Sequence, residues 1–352
     1  MKKKRIVVGM SGGVDSSLTA ALLAEQGYEV LGVHMQNWHD KRFIRGCSNW
    51  PEDRKDALRV ARQIGIPLQV VNFAKEYKQR VIEYFFTEYQ AGRTPNPDVL
   101  CNREIKFGML LEWAKARGYD MIATGHYARV KHGQSASKLF RGVDRTKDQS
   151  YFLSQLSQSQ LRSALFPLGD MKKLDVRKEA AKRKLSVSKK PDSQGLCFVG
   201  EINLTEFLKQ RIPSTPGKVV TRAGEVVGEH EGAAYYTVGQ RRGVGVSKSV
   251  PMYVLGTDVA KNKVTVGYDR ELYQKVMSTE LPHWIAGRQP RGLRDKECLV
   301  SIRYRMEPQP ARVAVQNGGL AIRFTEEQRG PTPGQFAAIY DGEVLLGSAV
   351  IS

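Results

Sequence analysis

Three consecutive β-branched residues, Ile6-Val7-Val8, run directly into Gly9-Met10-Ser11-Gly12-Gly13-Val14-Asp15-Ser16, and an apolar helical pattern from Leu18 to Leu23 follows at once. Strand, glycine-rich turn and helix in that order confine the start of the chain to an α/β layer, because each element must bury its apolar side against the other. The turn also leaves backbone N–H groups unpartnered at a helix N-terminus, where partial positive charge favours an anion and glycines admit a phosphate close to the backbone. The expected ligand class is a nucleotide phosphate.

The tract fits neither of the commoner phosphate patterns. Val14 and Asp15 stand where a Walker loop carries Lys followed by Ser or Thr, and the segment lacks G-x-G-x-x-G. Its Ser-Gly-Gly-x-Asp-Ser core resembles the loop of the ATP pyrophosphatases, which adenylylate a substrate oxygen and release pyrophosphate. The resemblance implies that Ser11, Ser16 and the backbone of Gly12 and Gly13 hold phosphate, with Asp15 beside a Mg2+ that travels with ATP.

From Ile6 to about Thr124, strand-like runs alternate with helical ones. Glu29 to Val33 reads as a strand, and Pro51-Glu52-Asp53 opens a helix through Ile64, with proline and acids where a helix start favours them. Leu68–Phe73 and Met121–Thr124 read as strands, and 76–88 and 107–117 as helices. Alternation of this kind predicts a parallel sheet covered by helices on both faces, with ligands bound beyond the carboxyl ends of its strands. Gly9–Ser16, His34-Met35 and Gly125-His126 all fall at such ends. After about Glu201 helical periodicity fades, and runs at 218–220, 234–237, 252–255 and 264–266 read as strands between glycine-rich turns. A break near 277–283 precedes a last group of short strands, among them Glu297–Tyr304 and Val344–Ile351, that predicts a small β-barrel. The expected units are a catalytic domain over 1–200, a β-rich domain over 201–277 and a barrel over 278–352.

Charge and cysteine usage narrow the function class. The chain of 352 residues carries a formal charge of +19, of which +10 falls in residues 1–169, +8 in 170–275 and +1 in 276–352. An excess of this size favours a polyanionic partner. Its densest stretch, Lys172 to Lys190, suits RNA or a solvated helix face. No apolar run reaches the ~18 residues of a membrane span, and no signal-like segment opens the chain, so a cytosolic location is expected. The four cysteines, at 47, 101, 197 and 298, are too scattered for a disulfide framework or a zinc site. Cys298 reads as core and Cys47 as an incidental thiol, while Cys101 and Cys197 sit in turn-rich segments. The prolines at 95 and 97 place Cys101 on a loop or at a helix start rather than among buried helical filler, and Arg103, Lys106, Lys189 and Lys190 are near enough in sequence to favour thiolates.

Five motifs in order, Ser-Gly-Gly-Val-Asp-Ser, Asn-Pro-Asp-x-x-Cys-Asn, Ala-Thr-Gly-His-Tyr-Ala, Lys-Asp-Gln-Ser-Tyr-Phe-Leu and Asp-Ser-Gln-Gly-Leu-Cys-Phe, give a likeness that spans nearly the whole chain. Together they resemble the bacterial tRNA-specific 2-thiouridylases. Those enzymes use ATP and persulfide sulfur to replace the 2-oxygen of the wobble uridine in tRNAs for Lys, Glu and Gln. The resemblance implies that Gly9, Met10, Ser11, Gly12, Gly13, Val14, Asp15, Ser16, Met35 and Gly125 bind ATP. It implies that Asn96, Pro97 and Asp98 contact the flipped target base, and that His126, Lys147, Asp148, Gln149, Arg303, Tyr304 and Gln335 touch tRNA. Cys197 would carry the persulfide, Cys101 would pair with it, and Asp98 would be the general acid/base. Which cysteine attacks the base stays open. ATP and Mg2+ are the implied cofactors, with no resident metal or cluster. A persulfide donor protein and tRNA are the implied partners of a monomer.

The chemistry that the resemblance implies asks for these parts. A uridine C2 oxygen is a poor leaving group until adenylylated, and a loop base is the cheapest to take out of its stack. Arg303 and Arg305 are expected to share one face of a strand by period two. A rival ATP pyrophosphatase acting on a small metabolite would share the loop but has no use for two loop cysteines or the basic excess. A non-catalytic RNA-binding protein would release no pyrophosphate.

Overall fold

The computed structural model describes residues 4–37, 50–192, 203–246, 250–293 and 296–352. Cys47 and Cys197 lie outside the described residues. Strands β1 (Arg5–Gly9), β2 (Glu29–Gln36), β3 (Leu68–Asn72), β4 (Met121–Ala123) and β7 (Ala164–Leu165) form a parallel sheet in the order β3-β2-β1-β4-β7. The hairpin β5 (Ala128–His132) and β6 (Ser137–Arg141) lies outside it. Alternation along β1 divides two cores. Val7 packs with Leu31, Val33 and Phe85 on one face, while Ile6 and Val8 pack with Leu18, Leu23 and Val60 on the other. Helices α1 (Val14–Glu25) and α2 (Trp50–Ile64) cover the second face with helix Lys173–Lys182. Because strand order turns back beside β1, the carboxyl ends of β1 and β4 form a crevice at the topological switch point. That crevice holds Ser11–Ser16 and Gly125.

One expectation is corrected here. Cys101 lies near a helix start, the second of the two expected placements, but it is buried helical filler and not an accessible thiol. Its helix begins at Pro97 and continues through Lys115, with a π stretch at Cys101–Met109, and Cys101 is wholly buried in its second turn. Pro97 sits where its fixed φ suits a first helical residue, and the Asn96 side chain accepts the Val99 N–H at 3.3 Å as cap, so the prolines start this helix instead of excluding it.

Beyond it, Leu204–Leu208 leads to a four-stranded sheet of Tyr253–Asp258, Lys263–Gly267, Gly217–Thr221 and Val226–His230, in that order. The run 234–237, expected as a strand, is a short 3₁₀ turn at Ala233–Tyr235, and Val226–His230 is an added strand whose glycine obscured its alternation. Among the described residues six strands between Tyr273 and Val350 then close into a barrel by the bridge between Thr279 and Ile351, with the short strand His283–Trp284 added against the last of them. Its last strand also pairs with β6 through Val344 opposite Phe140 and Leu345 opposite Leu139, so the N-terminal α/β unit extends the barrel sheet. The Arg141 guanidinium locks this junction, donating to both Glu307 oxygens at 2.7 and 2.8 Å and to Asp148 at 3.2 Å. The strand expected to reach Tyr304 stops at Ser301. Ser301 Oγ donates to Arg303 O at 2.8 Å and closes a turn in which Arg305 has φ +63°, so Arg303 and Arg305 share no strand face.

Candidate active site

The loop after β1 is shaped by what glycine permits. Gly12 has φ +84°, and a Cβ there would lie 2.2 Å from Asp53 O at the start of α2. A Cβ on Gly125, after β4, would lie 2.8 Å from the Asp15 carbonyl carbon and 2.9 Å from Ser16 N. Backbone therefore presses on the loop at Gly12 and on the first turn of α1 at Asp15–Ser16. Ser16 Oγ accepts the Ser11 N–H at 3.1 Å and donates to Gly13 O at 3.2 Å, while Ser11 Oγ accepts the Gly13 N–H at 3.4 Å. Gly13 is the N-cap of α1 and no side chain caps it. The curled backbone, the uncapped helix start and two hydroxyls make a cradle that fits phosphate oxygens. Buried Met35 lies beside Gly9, and His34 Nδ1–H donates to Met10 O at 2.8 Å, a structural role.

A charged cluster adjoins this loop. Lys173 Nζ, buried at 8% exposure, donates to both Asp15 carboxylate oxygens at 2.7 and 2.8 Å and lies 2.9 Å from Asp192. Tyr127 OH donates to Asp15 at 2.8 Å, and burial together with that carboxylate pushes the phenol far up. Asp192 also takes Lys147 at 2.9 Å and Arg177 at 2.6 Å; burial opposes its charge, yet Lys147 and Lys173 hold its carboxyl well below the ordinary range. On the opposite side Lys190 Nζ donates to Gly12 O at 3.1 Å, Asp53 at 2.6 Å and Asp56 at 2.7 Å. Burial works against that ammonium, and its two carboxylates outweigh the cost and raise its pKa.

The helix that carries Asp98 and Cys101 reaches the same crevice. Leu110 and Thr124 both lie beside Gly9, and the Phe107 ring stands 6.2 Å from that of His126. His126 is buried with Nδ1 2.7 Å from Thr124 Oγ1, and burial, then Lys106, push its imidazole well below 6.5, so it is neutral. Asp98 and Cys101, three apart, share a helix face. Asn102 ties this turn to the Lys147–Leu153 segment by donating to Asp98 O at 3.0 Å and Phe152 O at 3.3 Å.

Three sequence profiles match in succession: a tRNA methyl transferase HUP domain at residues 4–201, a tRNA methyl transferase PRC-barrel domain at 205–268 and an aminomethyltransferase β-barrel domain at 274–351. The tRNA-specific 2-thiouridylase MnmA of Listeria monocytogenes serotype 4b (strain CLIP80459) is 46% identical over 353 residues, covering 99% of this chain and 94% of that one. The chain belongs to the tRNA-specific 2-thiouridylase family. The 2-thiouridylase of Streptococcus pyogenes serotype M3 (strain ATCC BAA-595 / MGAS315) is 47% identical over 358 residues, with 98% and 94% of the two chains covered. Among solved structures, a 4-thiouridine synthetase–RNA complex with bound ATP is similar over 60% of this chain and 50% of that one, at 19% identity and TM-score 0.36.

Within this thiouridylase-family chain the expected RNA-contacting residues are already engaged. Asp148 accepts from Arg141, the Gly142 and Ser150 N–H groups and Ser150 Oγ. Gln149 Oε1 accepts the Tyr127 N–H at 3.1 Å, and Lys147 holds Asp192. Arg303 donates to Arg329 O and Gly330 O, and its neighbour Tyr304 packs its ring 4.2 Å from that of Phe152. Gln335 faces Thr94, Pro95 and Asn96. The basic stretch 172–190 divides: Lys173, Arg177 and Lys190 turn inward and Arg183 pairs with Glu25 and Glu179, while Lys172, Lys178, Lys182, Lys184 and Lys189 stay exposed. Sequence reasoning missed Tyr127, Lys173, Lys190 and Asp192 as neighbours of the loop. Nothing local marks which cation of a basic run turns inward.

Proposed function

We propose that this protein replaces the 2-oxygen of the tRNA wobble uridine with sulfur, consuming ATP. The observation that carries the reading is the Ser11–Ser16 cradle at the carboxyl end of β1 in a thiouridylase-family fold, flanked at Gly9 and His126 by Leu110 and Phe107 of the same helix that begins with the Asn96–Cys101 turn. In this reading Gly9–Ser16, Met35 and Gly125 bind ATP, and the loop N–H groups and Lys173 stabilise charge developing on phosphate as uridine O2 attacks the α-phosphorus and pyrophosphate leaves. Mg2+ carried with ATP would meet the Asp15 carboxylate, an oxygen donor of the kind it prefers, and would neutralise phosphate charge.

Asn96, Pro97 and Asp98 receive the flipped base, and Asp98 moves the proton. The terminal sulfur of a Cys197 persulfide attacks C2, and AMP departs with the former O2. Cys101 then takes part in one of two ways: its thiolate attacks Cys197 Sγ and closes a disulfide with it as the transferred sulfur stays on C2, or it assists while an external thiol attacks Cys197 Sγ and is left there as a mixed disulfide. Disulfide closure would require a thiol reductant to reset the pair. Lys147, Asp148, Gln149, Arg303 and Tyr304 support the surface that meets tRNA, and a persulfide donor protein reloads Cys197.

Pyrophosphate release tests the first half. It should require both tRNA and ATP in the wild type and fall to background in Asp15→Ala. Undiminished release from that variant would remove the loop from the reaction.

A further inference from the structure

Residues 92–96, which lead into the Asn96 cap, are gripped from both accessory domains. From the barrel, Pro333 O accepts the Thr94 N–H at 2.8 Å, and Gln335 Nε2 donates to Thr94 O at 2.9 Å and Pro95 O at 3.1 Å. Gln335 Oε1 accepts from Asn96 Nδ2 at 3.3 Å, while Asn96 Oδ1 caps Val99. Gly334, at φ +91°, approaches so closely that a Cβ would lie 2.8 Å from Thr94 O. From the central domain, Thr237 Oγ1 lies 2.9 Å from Thr94 Oγ1, and Thr257 Oγ1 donates to Gly92 O at 3.2 Å.

Gln335 thus has both amide hydrogens spent on protein carbonyls. A glutamine so used has no donor left for a nucleotide. Its oxygen is tied to the same side chain that caps the Asp98–Cys101 helix.

We propose that Gln335 is a positioning residue: from the barrel it fixes Thr94–Asn96 and, through the Asn96 cap, the start of the helix bearing Asp98 and Cys101, with Thr237 fixing the same segment from the central domain. This rests on the thiolation reading above. The role is to set the place of the base-receiving turn, so that domains contacting distant parts of tRNA also determine where the reacting uridine meets Asp98. Displacements near 1 Å at such a turn cost on the order of 100-fold in rate.

Gln335→Met keeps the volume and removes all three hydrogen bonds, and Thr237→Val removes the one to Thr94 from the other side, together with a hydrogen bond to Tyr89. At saturating tRNA, Gln335→Met should lower kcat for thiolation at least ~10-fold with the Kd for tRNA within twofold, and Thr237→Val should shift kcat the same way by less. A Kd raised tenfold with kcat intact would overturn the proposal in favour of direct RNA contact. Hydrogen exchange on the free proteins gives a readout that needs no turnover. Peptides over 94–102 should exchange faster in Gln335→Met and peptides over 14–25 should not, whereas unchanged exchange over 94–102 would also overturn it. Absence of thiolation by the wild type would instead sink the reaction assignment, and the exchange result would still decide the positioning role.

Discussion

Lys173 shows how far a single side chain can be from what its sequence neighbourhood implies. It lies in the most basic run of the chain, yet its ammonium is buried between Asp15 and Asp192, the first of them 158 residues away. The loop residues were legible because their spacing is local; Tyr127, Lys173 and Lys190 were not, because only the fold brings them to it. Lys173→Met should reduce pyrophosphate release at saturating tRNA and ATP by about 100-fold, the scale of losing one preorganised charge donor. Release within twofold of wild type in a folded variant would show that the lysine only neutralises Asp15. Three buried imidazoles make a second residue-scale prediction. Burial pushes His34, His126 and His230 below 6.5, so the unfolded chain binds their protons more readily and stability falls as pH drops through about 6.5. Carboxyls held low, such as Asp192, withdraw their contribution only below about 4. Urea midpoints should therefore decline between pH 7 and 5, and less steeply in His126→Gln; equal slopes would contradict the neutral, buried assignment.

Among elements, strands with uninterrupted β-branched runs were read correctly, β1 above all, because both of its faces are buried and the apolar signal is continuous. Two elements were misread for identifiable reasons. Pro95 and Pro97 suggested a loop or helix start that leaves Cys101 accessible, where Pro97 opens a helix that buries it, and the turn at Arg303–Arg305 was hidden because the Ser301 hydroxyl that ends the strand has no distinctive sequence signal. The buried placement of Cys101 has a measurable consequence. In the free protein its alkylation, followed by peptide mass mapping, should be at least ~10-fold slower than in unfolded chain, since reagent must wait for local opening. Adding tRNA and ATP should accelerate it if base entry opens the helix start. Rapid labelling of the free protein would contradict the packing described for helix 97–115.

Across the whole molecule, sequence texture revealed a parallel-sheet domain, a β-rich unit and a barrel, but not how they join. The pairing of β6 with the last barrel strand and the Arg141–Glu307 clamp connect residues 166 or more apart, and no local pattern encodes such partners. The net charge of +19 belongs to this scale too. Affinity for tRNA should fall at least ~10-fold between 50 and 200 mM salt as counterions compete for phosphates, and a flat titration would contradict an electrostatic docking surface. The central claim concerns the product. The most direct test incubates the purified protein with unmodified tRNA, Mg-ATP and a persulfide donor and weighs the nucleosides released on digestion. We predict a uridine gaining the mass of an oxygen-to-sulfur exchange at the wobble position, dependent on ATP and abolished in Cys197→Ser and Cys101→Ser. Wobble uridine left unchanged while the wild type releases pyrophosphate in a tRNA-dependent manner, or sulfur incorporated equally by both cysteine variants, would contradict the account.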